Sequence, residues 1–297
     1  MKSSKGGFRT LKKVAVLGAS GFIGKPICNR LEQQGWQVAR LSRVKSAGMH
    51  RVDLFDEDSI SDFLKLVRPN IVISTAWETE HGEFWNKPTN DLYSLATIRF
   101  AEICFSEGVN SFIGLGTMTE YGYSPGKCNS EITSLEPLEL YSRKKVEASF
   151  AIEKIARAYD SEFKWLRIFQ AFGANEKKER FIPSLINTLG AEQFFSIQTP
   201  NNVLDWIHVE DIASALVFSI SNGIEEYIDI GLGMGTSVRE LSNMLCRALS
   251  LDSSLLKFSD QPGSPKSIYV DAESKLFQAG WRPEKSLSER LESLHLI

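Results

Sequence analysis

A glycine-rich turn near the start of the chain constrains its fold more than any other feature. The segment VAVLGASGFIGKPI places Gly18, Gly21 and Gly24 between a short apolar run and an amphipathic one. Such glycines permit a tight turn, close approach of a pyrophosphate and close helix–strand packing. The following helix would face the phosphates with free N–H groups and a partial positive charge. The turn predicts a dinucleotide site. Its G-x-x-G-x-x-G spacing departs from the commoner G-x-G-x-x-G, and a plain glycine-rich turn is the alternative.

Short apolar runs alternate with longer amphipathic runs along the first 170 residues. This rhythm predicts an α/β fold, with a parallel sheet covered by helices on both faces. The predicted strands cover residues 14–18, 36–42, 70–76, 110–117, 163–170 and 226–231. The predicted helices cover residues 25–35, 56–67, 91–108, 140–159, 182–190 and 206–220.

The rhythm breaks after Phe169, where a charged loop and a single helix follow. We therefore expect a cofactor-binding domain over residues 11–170 plus 205–235. A smaller substrate-binding lobe would combine residues 171–204 with residues 236–297, of which the last part is predicted to be helical and then irregular.

The composition excludes several classes of partner. A net charge of −3 over 297 residues gives no general attraction to nucleic acid or to anionic membranes. No apolar run is long enough to span a bilayer. The first thirteen residues lack the apolar segment of a signal peptide, and we expect a short disordered lead. Four widely separated cysteines show neither metal-ligand nor disulfide spacing, so we predict no metal site and a cytoplasmic protein with reduced thiols.

The end of the second predicted strand bears on the choice of cofactor. Enzymes that use NAD usually carry Asp or Glu there to hold the ribose 2′-hydroxyl, whereas Arg accommodates a 2′-phosphate. Here Ser42 stands at the acidic position, Arg43 follows, and Lys45 is close behind. This arrangement favours NADP(H) over NAD(H), the alternative being a solvated basic loop.

The pentapeptide YSRKK puts Tyr141 and Lys145 four residues apart, on one face of a predicted helix. By itself such a pair is ordinary. Reduction of a ketone, however, needs a hydride at carbon and a proton at oxygen, and a nearby ammonium would lower the phenol pKa from its usual ~10. The pair is therefore a candidate proton donor and its partner.

Five motifs together carry a resemblance to a known family. GASGFIG, GTMTEYG, YSRKK, LRIFQAFG and WIHVEDIASAL resemble, in order and spacing, the extended short-chain dehydrogenase/reductase family. The closest likeness is to its NAD(P)-dependent nucleotide-sugar epimerases, dehydratases and reductases. The resemblance implies a Rossmann doubly wound parallel sheet with a smaller C-terminal substrate lobe.

The resemblance also implies roles for particular residues. The catalytic set would be Thr117, Tyr141 and Lys145, with Tyr141 as proton donor and Thr117 donating to the substrate oxygen. The cofactor-binding set would be Gly18, Ser20, Gly21, Phe22, Ile23, Gly24, Ser42, Arg43, Asp53, Leu54, Thr75, Ala76, Tyr141 and Lys145. The substrate-binding set would be Trp77, His81, Thr117, Gln170 and Arg180. Packing of an aromatic loop is the alternative for the region of Trp77, His81 and Trp85, and His208 is predicted to be structural.

Several positions depart from the family pattern. Dehydratases of the family carry an Asp–Glu pair directly after the catalytic threonine, where this chain has Met118 and Thr119, which disfavours water elimination. Two arginines that commonly grip the substrate diphosphate are replaced by Leu204 and Gln261.

These features predict NADPH-dependent reduction of a keto group on a nucleotide-linked 4-keto-6-deoxy sugar. A nucleotide-sugar epimerase that retains its cofactor is the first alternative. A non-catalytic regulator that senses the cofactor is the second, and the intact catalytic set disfavours it. The expected partner is a nucleotide sugar, with no nucleic acid and no membrane, and a homodimer is compatible with the resemblance.

Overall fold

The computed structural model describes residues 13–80, 82–224, 226–260 and 263–296. The first twelve residues of the predicted disordered lead lie outside these ranges. His81 and Gln261 also lie outside them. A seven-stranded parallel sheet forms the centre, in the order β3-β2-β1-β4-β5-β7-β11. Its strands are β1 (Lys13–Leu17), β2 (Gln37–Ser42), β3 (His50–Arg51), β4 (Ile71–Ser74), β5 (Ser111–Thr117), β7 (Glu162–Ile168) and β11 (Glu226–Ile230).

Helices cover both faces of this sheet. Those that cover it are α1 (Gly24–Gln33), α2 (Glu57–Val67), α3 (Thr89–Ser106), α4 (Leu140–Ala158), α6 (Val209–Ser221) and α8 (Lys275–Gln278). The helices α5 (Phe181–Gly190), α7 (Val238–Leu249) and α9 (Leu287–Glu292) lie elsewhere. Apolar residues of α1, α6 and α8 form one core cluster with the sheet. Those of α2, α3 and α4 form another. The predicted α/β fold with a Rossmann doubly wound parallel sheet is therefore confirmed.

The strand order reverses beside β1. Its neighbours β2 and β4 lead away in opposite directions along the sheet, so the carboxyl ends of β1 and β4 flank a crevice. Open α/β sheets bind ligands at this kind of switch point. The glycine turn follows β1 directly and lies at that crevice.

A second sheet lies beyond the Rossmann core. Four strands run in the order β12-β10-β14-β6, with β8 paired to β10, while β9 pairs with β13. These strands are β6 (Gly126–Cys128), β8 (Gln170–Phe172), β9 (Phe195–Ile197), β10 (Val203–His208), β12 (Gly235–Ser237), β13 (Leu256–Phe258) and β14 (Ser267–Val270). A third core cluster unites apolar residues of α5, α7 and α9 with this region. The division into a cofactor domain and a substrate lobe, with the boundaries given above, stays a prediction.

Two sequence-based assignments were wrong. The helix predicted over 206–220 begins only at Val209, because residues 206–208 extend β10, where Ile207 and Trp206 join different core clusters. His208 instead caps the helix, its Nδ1 accepting from the amide of Glu210 at 3.2 Å, which fits its predicted structural role. The segment after α7, predicted to be irregular, contains β13, β14, α8 and α9. No helix among the described residues is both long and apolar enough to cross a membrane.

Candidate active site

The glycine turn leaves no room for side chains. Gly18 has φ +82°, and a Cβ there would lie 2.4 Å from Thr75 Oγ1. A Cβ on Gly24 would lie 2.2 Å from the carbonyl oxygen of Gly18. The amide of Gly21 donates to that same oxygen at 2.9 Å, which closes the turn. The bare backbone at the N-terminus of α1 fits the pyrophosphate of a dinucleotide, as the sequence predicts.

The other predicted cofactor residues follow the same edge of the sheet. Ser20 is exposed, whereas Phe22 and Ile23 pack partly against the first core cluster. Ser42 ends β2, and its hydroxyl accepts from the amide of Val44 at 3.3 Å. Arg43 is exposed beyond it.

Residues after β3 and β4 complete this edge. Asp53 is half-buried and accepts from the amide of Phe55 at 3.1 Å, while Leu54 is buried. The Thr75 hydroxyl donates to the carbonyl of Leu17 at 2.9 Å, tying the end of β4 to the glycine turn. Ala76 follows it. The predicted set thus lies along the carboxyl edge of neighbouring parallel strands.

The three predicted catalytic residues come together at the end of β5. Thr117 is the last residue of β5, and its hydroxyl lies close enough to the phenol of Tyr141 to oppose the rise of the phenol pKa. Tyr141 and Lys145 lie in the first turns of α4 and are both buried. The Lys145 ammonium donates to the carbonyl of Leu115 at 2.7 Å and sits 3.9 Å above the Trp77 ring.

Aromatic rings surround the Tyr141 phenol. The rings of Phe84, Trp85 and Trp77 meet it edge-on, with centroids 4.9, 5.9 and 6.2 Å away. Trp77 is itself fixed by a 2.9 Å hydrogen bond from its indole nitrogen to Asn90. The aromatic loop after β4 therefore packs around the catalytic residues, in line with the packing alternative.

Electrostatics at this site differ from the sequence expectation in one respect. Burial raises the pKa of Tyr141, and the charge of Glu120 raises it further, whereas the nearby Thr117 hydroxyl and the charge of Arg180 oppose this. The expected lowering by Lys145 is absent although its ammonium lies 5.8 Å from the centroid of the Tyr141 ring, because Lys145 loses its own proton before the phenol would ionise. Burial also lowers the pKa of Lys145 to about 7, with Glu120 opposing. Tyr141 is thus held in its protonated form.

Sequence reasoning missed a buried ion pair beneath the site. Glu120 is fully buried and accepts from Arg167 at 2.7 Å, from the Trp165 indole at 3.0 Å and from the Thr117 amide at 3.0 Å. Arg167 also donates to the Tyr121 hydroxyl at 3.0 Å. The sequence signal that could have indicated this ion pair is an acid and an arginine that each interrupt an otherwise apolar run. Because its oxygens are engaged, Glu120 acts as a support for Thr117 and is poorly placed to serve as a base.

An open cleft of about 480 Å³ lies beside the catalytic residues. It is lined by Trp85, Asn86, Met118, Thr119, Gly122, Tyr123, Glu139, Gln170, Leu204, Lys266 and Ile268. Of the predicted substrate residues, Gln170 lies in this lining. Sequence reasoning did not single out Glu139 or Tyr123, and the Lys266 ammonium stacks 3.6 Å above the Tyr123 ring.

The charge of Arg180 opposes the rise in the pKa of Tyr141. The Nε atom of Arg180 also lies 3.5 Å from Oε1 of Glu176. Leu204, at a position where the family resemblance implies arginine, gives the cleft an apolar wall. Within the described part of the chain, no cluster of three or more His, Cys, Asp or Glu side chains could hold a metal ion.

Comparisons with known proteins identify the family. The model of the NAD dependent epimerase/dehydratase family matches residues 14–231, and the chain belongs to this family. GDP-L-fucose synthase of Sinorhizobium fredii is 25% identical, over 93% of this chain and 92% of its own. UDP-glucose 4-epimerase of Rhizobium meliloti is 23% identical, over 94% and 95%. The structure of a Thermus thermophilus UDP-glucose 4-epimerase complexed with NAD has a TM-score of 0.79 at 20% identity, covering 95% of this chain and 97% of that one.

This membership confirms the resemblance read from the sequence and makes the chain an NAD(P)-dependent enzyme of the epimerase/dehydratase type. The two relatives carry out different reactions by their names. Family membership alone therefore leaves the specific reaction to be argued from the site.

Proposed function

We propose that this member of the NAD dependent epimerase/dehydratase family reduces a keto group on a nucleotide-linked 4-keto-6-deoxy sugar with NADPH. The observation that carries the proposal is that Tyr141, in the first turn of α4, lies close to Thr117 at the carboxyl end of β5 and has the Lys145 ammonium 5.8 Å from the centroid of its ring. Tyr141 and Thr117 lie beside a cleft of about 480 Å³, large enough to admit part of a sugar. The names of the nucleotide-sugar relatives support the substrate class.

In this proposal the hydride for the carbonyl carbon would come from the nicotinamide of NADPH when that cofactor is bound. Tyr141 supplies the proton to the carbonyl oxygen, and its raised pKa suits a donor that must start protonated. The Thr117 hydroxyl donates to the same oxygen as negative charge develops there. Lys145 would leave the carbonyl of Leu115 to hold the nicotinamide ribose and bring its charge closer to the phenol.

The sequestered Glu120 favours reduction over dehydration. Elimination of water from a sugar needs an acid and a base beside the catalytic threonine. Met118 and Thr119 provide neither, and the carboxylate of Glu120 is occupied by Arg167, Trp165 and the backbone. Glu139 lines the cleft, but it stands at the N-cap of α4 and not directly after the catalytic threonine.

NADPH oxidation measured across a panel of nucleotide-linked 4-keto-6-deoxy sugars tests the proposed function. We expect NADPH oxidation with one or more GDP- or dTDP-linked 4-keto-6-deoxy hexoses, and stoichiometric formation of the reduced sugar. Tyr141→Phe should lower turnover by about 10²- to 10⁴-fold, because it removes the proton donor but keeps the ring. Tyr159→Phe, an exposed tyrosine just after the same helix, is the matched control. Near-normal turnover by Tyr141→Phe would contradict the mechanism.

The amount of cofactor that stays bound through purification distinguishes a reductase from an epimerase. A reductase exchanges NADP⁺ for NADPH in each cycle, so gently purified protein should carry substoichiometric cofactor. Protein that arrives saturated with cofactor, and interconverts two sugar epimers with no NADPH added, would favour the epimerase.

Preference for NADP(H) is the second part of the proposal. It is supported by the absence of an acid at Ser42 and by the exposed Arg43 beside it. Ser42→Asp combined with Arg43→Ala supplies a ribose acceptor and removes a phosphate partner, so it should shift preference from NADPH toward NADH. The measurement is the ratio of kcat/KM for the two cofactors, with Lys154→Ala, an exposed lysine on α4, as control. Equal use of both cofactors by the unmodified protein would overturn the assignment.

A further inference from the structure

The face of the Trp77 ring lies against the ammonium of the buried Lys145. The ammonium nitrogen is 3.9 Å from the centroid of this ring, compared with 5.7 Å from that of Trp165 and 5.8 Å from that of Tyr141. It also donates to the carbonyl of Leu115 at 2.7 Å. The face of an aromatic ring attracts a cation within about 6 Å of its centroid, and the indole of tryptophan attracts it most strongly. Trp77 is therefore the ring best placed to stabilise this charge.

Residues of the following loop and helix fix the orientation of Trp77. Its indole nitrogen donates to Oδ1 of Asn90, in the first turn of α3, at 2.9 Å. Asn90 is 2% exposed, and its Nδ2 donates to the carbonyls of Phe84 at 2.6 Å and Lys87 at 2.9 Å. The Trp77 ring also stacks on Tyr93, with centroids 5.9 Å apart. These contacts hold the ring in place independently of the lysine.

The charged and titratable groups around Lys145 do little to keep it protonated. From the end of β5, the carboxylate of Glu120 favours the ammonium, but this acid also pairs with Arg167 of β7 at 2.7 Å. On α4, the neighbouring Tyr141 phenol is neutral because its pKa is raised. Burial outweighs Glu120 and lowers the pKa of Lys145 to about 7. Any further contact that favours the ammonium therefore changes its charged fraction at neutral pH.

We propose that Trp77 is a positioning residue that keeps Lys145 in its charged form for binding the cofactor. The inference rests on the proposed function in one respect, that Lys145 holds the ribose of the nicotinamide. The indole face attracts the ammonium but not the neutral amine, so its loss should lower the pKa of Lys145. An attraction of the usual size corresponds to about 0.5 to 1.5 pH units. This role differs from the substrate contact that the resemblance implies for Trp77.

Titration of NADP⁺ into the whole protein by isothermal calorimetry tests the inference. Trp77→Leu removes the ring face, and the apparent Kd rises as the fraction of charged lysine falls. At pH 7, near the pKa of Lys145, we expect the Kd for NADP⁺ to rise about 2- to 15-fold. At pH 5.5, where most of the lysine is charged in both proteins, the rise should be about twofold or less.

Matched variants show whether Trp77 acts through Lys145. In a Lys145→Met background, Trp77→Leu should change the Kd less than about twofold, because the ring then has no cation to hold. Trp77→Phe keeps an aromatic face and should recover most of the loss. Trp77→Met supplies a second non-aromatic variant where Trp77→Leu does not fold. Trp36→Leu, at a half-buried tryptophan before the amino end of β2, is the control and should leave the Kd unchanged.

Three outcomes would overturn the inference. The first is an unchanged Kd at pH 7 in the non-aromatic variants of Trp77. The second is the same loss in the Lys145→Met background, which would mean that Trp77 contacts the cofactor or supports the fold without Lys145. The third is an equal loss in Trp77→Phe and in the non-aromatic variants.

The titration also separates this inference from the proposed function. Wild-type affinity for NADP⁺ in Lys145→Met would refute the cofactor role of Lys145 in the proposed function, and the role of Trp77 with it. Because no sugar enters the titration, an error in the proposed substrate would leave its results unchanged. Loss of affinity in Lys145→Met, without any loss in the variants of Trp77, would overturn the inference alone.

Discussion

Burial of the Lys145 side chain lowers the stability of the folded protein. The residue is 5% exposed, and its ammonium lies against a backbone carbonyl and the Trp77 ring. Burial of a lysine disfavours its charged form, and here it lowers the pKa from an ordinary 10.5 to about 7. A methionine would fill the same space without that cost. Lysine at this position is thus better explained by the proposed chemistry than by packing.

Lys145→Met should therefore stabilise the protein at low pH more than at high pH. The pKa of Lys145 is about 7 in the folded protein and 10.5 in the unfolded chain. Between these pH values the unfolded chain binds more protons than the folded protein does. The free energy of unfolding of the wild type therefore rises with pH across this window. From pH 7 to 9 the wild type should gain roughly 2 to 3 kcal/mol relative to the variant. Urea unfolding at both pH values measures this. Lys154→Met, at an exposed lysine of α4, should show no such trend, and a constant difference for Lys145→Met would contradict the buried-charge interpretation.

At the scale of elements, side-chain contacts join β5 and β7 in addition to their backbone hydrogen bonds. Trp165 of β7 lies against Gly116 of β5, where a Cβ would approach its indole nitrogen to 2.3 Å. Glu120, just after β5, accepts from that indole and from Arg167 of β7. The glycine in β5 therefore makes room for a ring whose polar end is satisfied by the buried carboxylate, and this holds Thr117 in place.

Glu120→Gln should destabilise the fold by about 3 to 5 kcal/mol, the usual cost of removing one partner of a buried ion pair. The amide retains one acceptor oxygen, so either Arg167 or the pair of N–H donors from Trp165 and Thr117 loses its partner. Equilibrium unfolding in urea gives the difference. Glu136→Gln, at an exposed side chain of the following loop, is the control, and a change below about 1 kcal/mol for Glu120→Gln would show that the network contributes little.

Local sequence signals explain why some elements were predictable and others were not. The strands β1, β4 and β5 are continuous apolar runs, and the glycine turn has its own steric signature. By contrast, β6 is three residues long and pairs with β14, more than a hundred residues later. Such short strands exist through tertiary pairing and carry little local pattern.

The same distinction applies to the candidate site. Thr117, Tyr141 and Lys145 could be predicted because they belong to recognisable motifs. The pairing of Glu120 with Arg167 could not, because it joins side chains 47 residues apart through the packing of two strands. The direction of the Lys145 side chain likewise depends on Trp77, which approaches from another loop.

At the scale of the whole molecule, Asp205 joins the two sheets. It is fully buried in β10 of the second sheet. Its carboxylate accepts from the amides of Leu232 at 2.6 Å and Gly233 at 2.9 Å, just after β11 of the central sheet, and from Val270 of β14 at 3.2 Å. A Cβ on Gly231 would lie 2.6 Å from the same carboxylate, so the chain after β11 approaches it closely. One side chain thus connects the Rossmann sheet to the strands that line the cleft.

Asp205→Asn tests this connection at nearly constant shape. The amide NH₂ would face at least one backbone donor that now meets a carboxylate oxygen, and hydrogen bonds to a charged group each contribute about 1.5 to 3 kcal/mol. We therefore expect a loss of about 2 to 4 kcal/mol in the free energy of unfolding, with Asp62→Asn at an exposed site of α2 as control. Because the bonds cross between the sheets, the variant should also lose substrate affinity before cofactor affinity, measured as separate KM values. A variant with wild-type stability, or one that loses only NADPH binding, would show that Asp205 does not couple the cleft to the Rossmann sheet.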